Sequence, residues 1–254
     1  MLNPKDEVNG MIKFIRDYYK KYNLGGIVIG ISGGKDSAVV AALFTRALGK
    51  DKVIGLTLPC ESSEQDKIDA KLVSDYYGFK LYNYDLTNIY KIIKDNLKSI
   101  GEFTNEETKE SDINLKSRLR MCALYYAARL ISDRKKKTYL VAGTSNKSEL
   151  YVGYFTKGGD SVHDIAVLAD FTKEEVIVLG EYLDVPPEVI YKEPSDGLSN
   201  KTDEDKMGVT YSDIALFMKN PLDVNLETRI KINKMHESSF HKVDIPTYRR
   251  NKCE

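Results

Sequence analysis

The feature that most constrains this chain is the segment 27–37, where a short apolar run is followed by Ser-Gly-Gly-Lys-Asp-Ser. The β-branched run predicts a buried strand, and a helix is predicted from Ser37 onward. The consecutive glycines Gly33 and Gly34 let the backbone turn sharply, so that successive N–H groups face one point. The start of a helix adds the positive end of its dipole there. The segment therefore predicts a phosphate-binding loop, with Asp36 as a magnesium ligand and Ser37 as a hydroxyl donor.

Two common phosphate-binding motifs do not fit this spacing. A Walker A loop would need glycine in place of Ile29, and Ser or Thr in place of Asp36. The dinucleotide fingerprint G-x-G-x-x-G is not matched around Gly30, Gly33 and Gly34. The remaining pattern, Ser-Gly-Gly-x-Asp-Ser after a strand, resembles the pyrophosphate loop of the N-type ATP pyrophosphatases. That resemblance implies cleavage of ATP between its α and β phosphates. A glycine-rich turn that binds no ligand is the alternative interpretation.

The rest of the chain alternates between segments that predict helices and segments that predict strands. Strands are expected at residues 27–31, 53–58, 80–84 and 138–142, and the longer helices at about 5–22, 37–48, 60–77, 86–99 and 111–131. This alternation predicts a single α/β domain across residues 1–254, with a parallel sheet and helices on both of its faces. Two polar segments, 153–165 and 193–208, are too long for ordinary connections and are predicted to be mobile lids.

A second loop that contains candidate functional residues follows the strand predicted at 138–142. Gly143 permits close approach of the backbone to a ligand, and Thr144 is a candidate donor to a nucleotide. Ligands of parallel α/β sheets bind beyond the carboxyl ends of the strands, where Asp36 and Glu149 are both expected. Two carboxylates can share one Mg²⁺ whose other ligands are water and phosphate oxygens. A solvated acid on a helix surface is the alternative interpretation of Glu149.

The charge and the cysteine content of the chain limit the binding partners and the cellular compartment that are expected. Lys plus Arg and Asp plus Glu both number 38, so the formal net charge is zero. Proteins that bind nucleic acid usually have a basic excess, and the basic run 134–137 is interpreted as a solvated connection. The three cysteines are too few and too scattered for a disulfide framework or a zinc site, which favours the cytoplasm. Neither a signal peptide nor a membrane span is expected.

Several further segments make the chain similar to the ammonia-dependent NAD synthetases. The resemblance extends along most of the chain and is carried by residues 30–37, 118–121, 142–149, 153–157, 160, 164, 192–195, 202–204 and 241–242. It implies a Rossmann-like fold of the adenine nucleotide alpha hydrolase type. It also implies ATP-dependent amidation of deamido-NAD with ammonia, through an adenylated intermediate, to give NAD, AMP and pyrophosphate.

The resemblance also implies roles for individual residues. The contacts to ATP would come from Gly30, Ile31, Ser32, Gly33, Gly34, Lys35, Asp36, Ser37, Thr144, Lys173 and Ser195. Mg²⁺ would be bound by Asp36 and Glu149. The contacts to deamido-NAD would come from Arg118, Lys157, Asp164, His241 and Lys242. In the catalytic set of Asp36, Lys157, Asp164 and Lys173, the lysines would oppose charge on the transferring phosphate, and Asp164 would orient ammonia or a ribose.

Some expectations from the resemblance concern partners. Since 254 residues leave no room for an additional amidase domain, free ammonia is the expected nitrogen donor unless a separate glutaminase subunit supplies it. A homodimer is implied, with deamido-NAD near the subunit interface, and the helix around residues 121–126 is a candidate contact surface. A buried core helix would show the same sequence.

Two points leave alternatives open. First, the glycines in residues 157–164 are shifted relative to the family, so His163 is either a surface histidine or a substrate contact. Second, either Arg118 or Arg120 faces the site, depending on the orientation of the helix that carries them. The alternative functions are another adenylating enzyme with the same loop, of the tRNA-modifying type, and an ATP-binding module without turnover.

Overall fold

The structure, a computed structural model, describes residues 2–101, 109–193 and 202–248. Its centre is a sheet of five parallel strands in the order β3-β2-β1-β4-β5. The strands are β1 Gly26–Gly30, β2 Val53–Thr57, β3 Lys80–Asn83, β4 Tyr139–Gly143 and β5 Ile165–Ala166. The predicted α/β class with a parallel, Rossmann-like sheet is confirmed.

The helices occupy both faces of this sheet. They are α1 Pro4–Lys21, α2 Lys35–Leu48, α3 Glu64–Tyr77, α4 Thr87–Lys98, α5 Lys109–Lys135, α6 Lys147–Val152, α7 Lys173–Tyr182, α8 Pro187–Ile190, α9 Asp203–Met207, α10 Tyr211–Lys219 and α11 Leu226–Val243, with short 3₁₀ turns at Lys50–Lys52 and Pro221–Asp223. Within the described ranges, no helix is both long and apolar enough to cross a membrane.

The alternation of side chains along β1 divides the core into two layers. Ile27 and Ile29 pack with α1, α2, α3, α7 and α8, whereas Val28 packs on the opposite face with α4 and α5. Helix α2 is buried along most of its length, since every residue from Ala38 to Phe44 has no exposed surface. A separate apolar cluster joins α6, α10 and α11. The loop after β1 is therefore held between a central strand and a fully packed helix.

Residues 153–165, interpreted from the sequence as one of two long polar connections, end in a short strand that the sequence did not predict. Ile165 and Ala166 form β5, which pairs with Ala142 and Gly143 of β4. The strand was missed because two residues carry no periodic pattern. The proposed second lid, 193–208, contains the five-residue helix α9 and lies partly outside the described residues. The four strands predicted from the sequence are confirmed to within one or two residues.

Candidate active site

The glycine loop after β1 is shaped by its own two serines. The Ser37 hydroxyl donates to the Gly34 carbonyl at 3.0 Å and accepts from the Ser32 N–H at 3.2 Å. The Ser32 hydroxyl accepts from the Gly34 N–H at 3.2 Å. Gly33 at the tip has a φ of +78°, in the left-handed region that favours glycine. Because the first N–H groups of α2 have no acceptor within the helix, the loop and helix start offer donors to an anion.

Three residues predicted from separate parts of the sequence meet beside this loop. The Lys173 ammonium donates to Asp36 Oδ2 at 2.6 Å and to Glu149 Oε1 at 2.9 Å. Asp36 lies in the first turn of α2 after β1, and Glu149 lies in α6 after β4. Since β1 and β4 are neighbours in the sheet, their carboxyl ends bring the two acids together. Lys173 begins α7, whose capping box is formed by Thr172 and Glu175.

One participant was not recognised from the sequence. Asn146 Nδ2 donates to Asp36 Oδ1 at 2.9 Å, and its Oδ1 accepts from the Glu149 N–H at 3.1 Å. Asn146 is the N-cap of α6, and the Glu149 side chain returns a hydrogen bond to the Asn146 N–H. The spacing Asn-x-x-Glu at the start of this helix is the signal that predicts such a capping box. The cap therefore fixes both carboxylates of the cluster.

The cluster is buried, and burial governs its electrostatics. The side chains of Lys173, Asp36 and Glu149 are 6%, 17% and 15% exposed. Burial raises the pKa of the Glu149 carboxyl above its usual range, against the opposing effect of Lys173. Burial opposes the charge of Lys173, but Asp36 and Glu149 outweigh it and raise the pKa of the ammonium. Lys173 therefore stays charged, with the Tyr211 ring 5.0 Å from its ammonium.

The two carboxylates suit a magnesium ion. Asp36 and Glu149 both reach the same ammonium, so their oxygens face one small space. Mg²⁺ is typically held by one or two carboxylates, with water and phosphate oxygens as its other ligands. The described ranges contain no group of three or more His, Cys, Asp or Glu suited to a metal. The donor set fits an ion that shares its coordination with a phosphate-bearing ligand.

Four of the five residues predicted to bind substrate form a second cluster. The Lys157 ammonium donates to the His241 carbonyl, and Arg118 Nε donates to the Lys157 carbonyl at 3.2 Å. Lys242 Nζ donates to the carbonyls of Gly153 and Phe155 at 2.6 and 2.8 Å. These contacts join α5, the loop after α6 and the end of α11. Lys242 thus supports the loop that carries Lys157.

Asp164, the fifth residue predicted to bind substrate, lies just before β5 and is held there by hydrogen bonds. Its Oδ2 accepts from the Val141 N–H at 2.8 Å, and its Oδ1 accepts from the Tyr125 hydroxyl at 3.1 Å. Burial, aided by Asp164, raises the pKa of Tyr125 to about 12. Asp164 therefore holds the start of β5 against β4 and α5. Its side chain makes no described hydrogen bond to Arg118, Lys157, His241 or Lys242.

Three other residues from the sequence analysis have different surroundings. Thr144 lies half-buried directly after β4, whereas Ser195 lies outside the described residues. The His163 ring packs against Gly143, where an added Cβ would lie 2.5 Å from the ring. Arg120 Nε donates to the Leu58 carbonyl at 3.1 Å, and its Nη2 donates to the Ser62 hydroxyl at 3.1 Å.

The position of Lys35 leads to a prediction about the free energy of unfolding. It is the first residue of α2 and is 6% exposed, and its ammonium has no hydrogen bond or ion pair with the described residues. Burial and the charge of Lys173 lower its pKa. Lys35→Met is therefore expected to raise the free energy of unfolding by about 1 kcal/mol, because it removes an ammonium that is partly desolvated and repelled by the charge of Lys173. Urea unfolding measures the change, and a decrease would contradict this account.

The comparisons with known proteins agree on one family. The model of the NAD synthase family matches residues 7–246. The NH₃-dependent NAD⁺ synthetase of Methanocaldococcus jannaschii is 41% identical over 94% of each chain, and that of Syntrophomonas wolfei is 39% identical over 96% of each.

Solved structures give the same result. The NMN synthetase of Francisella tularensis superposes with a TM-score of 0.88 at 33% identity, over 98% of this chain and 99% of that one. The NH₃-dependent NAD synthetase of Campylobacter jejuni superposes with a TM-score of 0.79 at 25% identity, over 98% and 100%. Since the family model, the curated relatives and the solved structures all match nearly the whole length, the chain belongs to the NAD synthase family.

Proposed function

We propose that this protein is the ammonia-dependent ligase that converts deamido-NAD to NAD⁺ with cleavage of ATP to AMP and pyrophosphate. The observation that carries the proposal is the meeting of Asp36, Glu149 and Lys173 beside the glycine loop. This arrangement combines N–H donors for phosphate oxygens, two carboxylates for a metal and a buried ammonium. The curated relatives described above supply the nature of the reaction, since they are named as NH₃-dependent NAD⁺ synthetases.

The chemistry explains why the site needs these groups. The nicotinate carboxylate of deamido-NAD is a poor electrophile, so its oxygen attacks the α-phosphorus of ATP and pyrophosphate departs. Ammonia then attacks the carbonyl carbon of the resulting mixed anhydride, loses a proton, and AMP leaves with the C–O bond electrons. No protein nucleophile is required, so the work consists of positioning and charge stabilisation.

Each group has a place in this scheme. The N–H groups of the glycine loop and α2 bind the departing pyrophosphate, and the Lys173 ammonium opposes the charge that develops on the transferring phosphate. Asp36 and Glu149 are the residues that would hold Mg²⁺, and the ion would neutralise phosphate charge. Arg118, Lys157 and His241 bind the substrate side, with Lys242 supporting their loop. Thr144 and Ser195 are assigned to ATP, and Asp164 to the substrate side.

A second candidate product is NMN. The protein that superposes with a TM-score of 0.88 is named as an NMN synthetase. Nicotinate mononucleotide has the same carboxylate as deamido-NAD but lacks the adenylyl half, so the adenylation and amidation steps are unchanged. The selectivity between the two substrates depends on contacts to the distal nucleotide.

One assay with four arms tests both candidates. The purified protein is incubated with ATP, Mg²⁺ and ammonium, and with either deamido-NAD or nicotinate mononucleotide, while AMP and pyrophosphate are followed. NAD and AMP in equal amounts, with a higher kcat/KM for deamido-NAD, are expected. A higher kcat/KM for the mononucleotide would establish NMN as the product. Glutamine in place of ammonium is expected to give no product in either arm. ATP binding without AMP release would favour a module without turnover.

We also propose a cytoplasmic homodimer. Cys60 is buried and Cys122 is exposed, and both are free thiols, as in proteins of a reducing compartment. Helix α5 exposes Tyr126 and Leu130, which lie one turn apart on the same face, at 68% and 52%. This apolar surface is the proposed dimer contact. Light scattering is expected to give the mass of two chains for the wild type and of one chain for Tyr126→Glu. An unchanged mass in the variant would exclude this surface.

A further inference from the structure

Lys173 takes the position that a metal ion would need. Its ammonium lies within hydrogen-bonding distance of both proposed Mg²⁺ ligands, at 2.6 Å from Asp36 and 2.9 Å from Glu149. The three side chains are at least 80% buried. Two carboxylates so close together in a buried place repel each other strongly unless a cation lies between them. In this structure, that cation is the ammonium of Lys173.

The ammonium can leave only if another anion receives it. An uncompensated buried charge is costly, so Lys173 cannot simply swing away when a metal ion approaches. ATP is the ligand of the proposed reaction that brings negative charge to the glycine loop. The backbone of Lys173 is fixed, since its N–H donates to the Ser148 hydroxyl at 3.3 Å and it begins α7. Its four-carbon side chain is flexible, so the ammonium can move while the helix stays in place.

We propose that Lys173 acts as an exchangeable counter-ion for the two carboxylates. Without ligand it neutralises Asp36 and Glu149; with Mg²⁺ and ATP it moves to a phosphate oxygen while the metal takes the two carboxylates. This inference rests on the proposed function for the identity of the nucleotide. Its consequence is that metal and nucleotide bind cooperatively, because each binds well only when the other has shifted the lysine. Free Mg²⁺ alone is then bound only weakly at the site.

The exchange is tested by measuring metal binding without nucleotide. Mg²⁺ is titrated into the wild type and into Lys173→Met by calorimetry, and thermal unfolding is followed in parallel with EDTA or excess Mg²⁺. The variant is expected to bind Mg²⁺ about tenfold or more tightly than the wild type, because no ammonium competes for the carboxylates. Its melting temperature is expected to be below that of the wild type in EDTA and to recover with Mg²⁺. The wild type is expected to respond little.

Lys147→Met provides the matched control. Lys147 is also the first residue of a helix, α6, and it forms an exposed ion pair with Asp170. Its replacement removes a nearby positive charge without opening the carboxylate pair, so Mg²⁺ binding is expected to equal that of the wild type. A tighter affinity in this control would mean that general charge, rather than competition at the site, explains the effect.

Two results would overturn the inference. Equal Mg²⁺ affinity in the wild type and Lys173→Met would make the lysine a permanent structural bridge. Absence of Mg²⁺ binding in the variant would mean that the carboxylates are not a metal site. Lys173→Gln, whose amide still donates a hydrogen bond, repeats the measurement if the methionine variant does not fold. Because the titration contains no nucleotide or substrate, its outcome is independent of whether NAD is the product.

Discussion

Asp36→Asn is expected to lower kcat for NAD formation by about 10³-fold, the cost typical of removing one preorganised electrostatic group. The amide keeps the shape of the side chain but removes its charge, so it is a weak ligand for the proposed Mg²⁺. Folding should survive the change for a specific reason. Asp36, Glu149 and Lys173 together have a charge of about −1 when both acids are ionised, whereas the variant leaves Lys173 paired with Glu149 alone. The loss should therefore appear in catalysis and not in stability.

The measurement is steady-state kinetics at saturating ATP, with thermal unfolding of the same preparations. Asp170→Asn is the matched control, since that carboxylate is 91% exposed and is bonded only to Lys147 in the described structure. The control is expected to retain wild-type kcat. If Asp36→Asn kept more than a tenth of the wild-type kcat, the carboxylate would not be a ligand needed in the transition state, and Glu149 would remain the only proposed metal ligand.

The glycine loop was predictable because its information is local. A β-branched run, two glycines and a helix start lie within eleven residues, and the structure has β1 followed directly by α2. The helix begins at Lys35, two residues earlier than predicted, with Gly34 as the N-cap. The strand β5 and the helix α9 were not predictable in the same way. They contain two and five residues, too few for a periodic pattern.

The meeting of the site residues was predictable only in part. The sequence indicates that Asp36 and Glu149 each follow a strand, but the adjacency of β1 and β4 arises from the packing of the whole sheet. Lys173 resembles any lysine in a first helical turn, and the orientation of α7 brings it between the acids. The surroundings of Asp164 could not be predicted from the sequence, because its contacts come from distant residues. Its carboxylate is held by Val141 and Tyr125, contacts that lie 23 and 39 residues away along the chain.

Gly33→Ala is the second change with a large expected effect, and it acts through the backbone. At a φ of +78° an alanine costs about 1–2 kcal/mol, and its Cβ would lie 2.4 Å from the Asp66 carbonyl oxygen. That oxygen belongs to the backbone of α3 and cannot turn aside. The Asp66 side chain is also bonded to Lys192 at 2.7 Å. The loop must therefore move away from α3, and a displacement of about 1 Å at a catalytic site can reduce the rate by about 10²-fold.

We therefore expect kcat/KM for ATP to fall about 100-fold in Gly33→Ala. Alanine substitutions at two other glycines distinguish the effect of backbone strain from that of the steric clash. Gly49 has a φ of +87° and no atom within 4 Å of an added Cβ, so Gly49→Ala has the backbone strain without the clash. Gly10 lies within α1 and also has open space, so Gly10→Ala is expected to stabilise the protein by about 0.5–1 kcal/mol. Both controls should keep wild-type kcat/KM. If Gly33→Ala lost stability to the same extent as Gly49→Ala and kept its activity, contact with α3 would not set the loop geometry. A loss confined to ATP kinetics would instead mean that the close approach of Gly33 to the Asp66 carbonyl of α3 sets the shape of the phosphate loop.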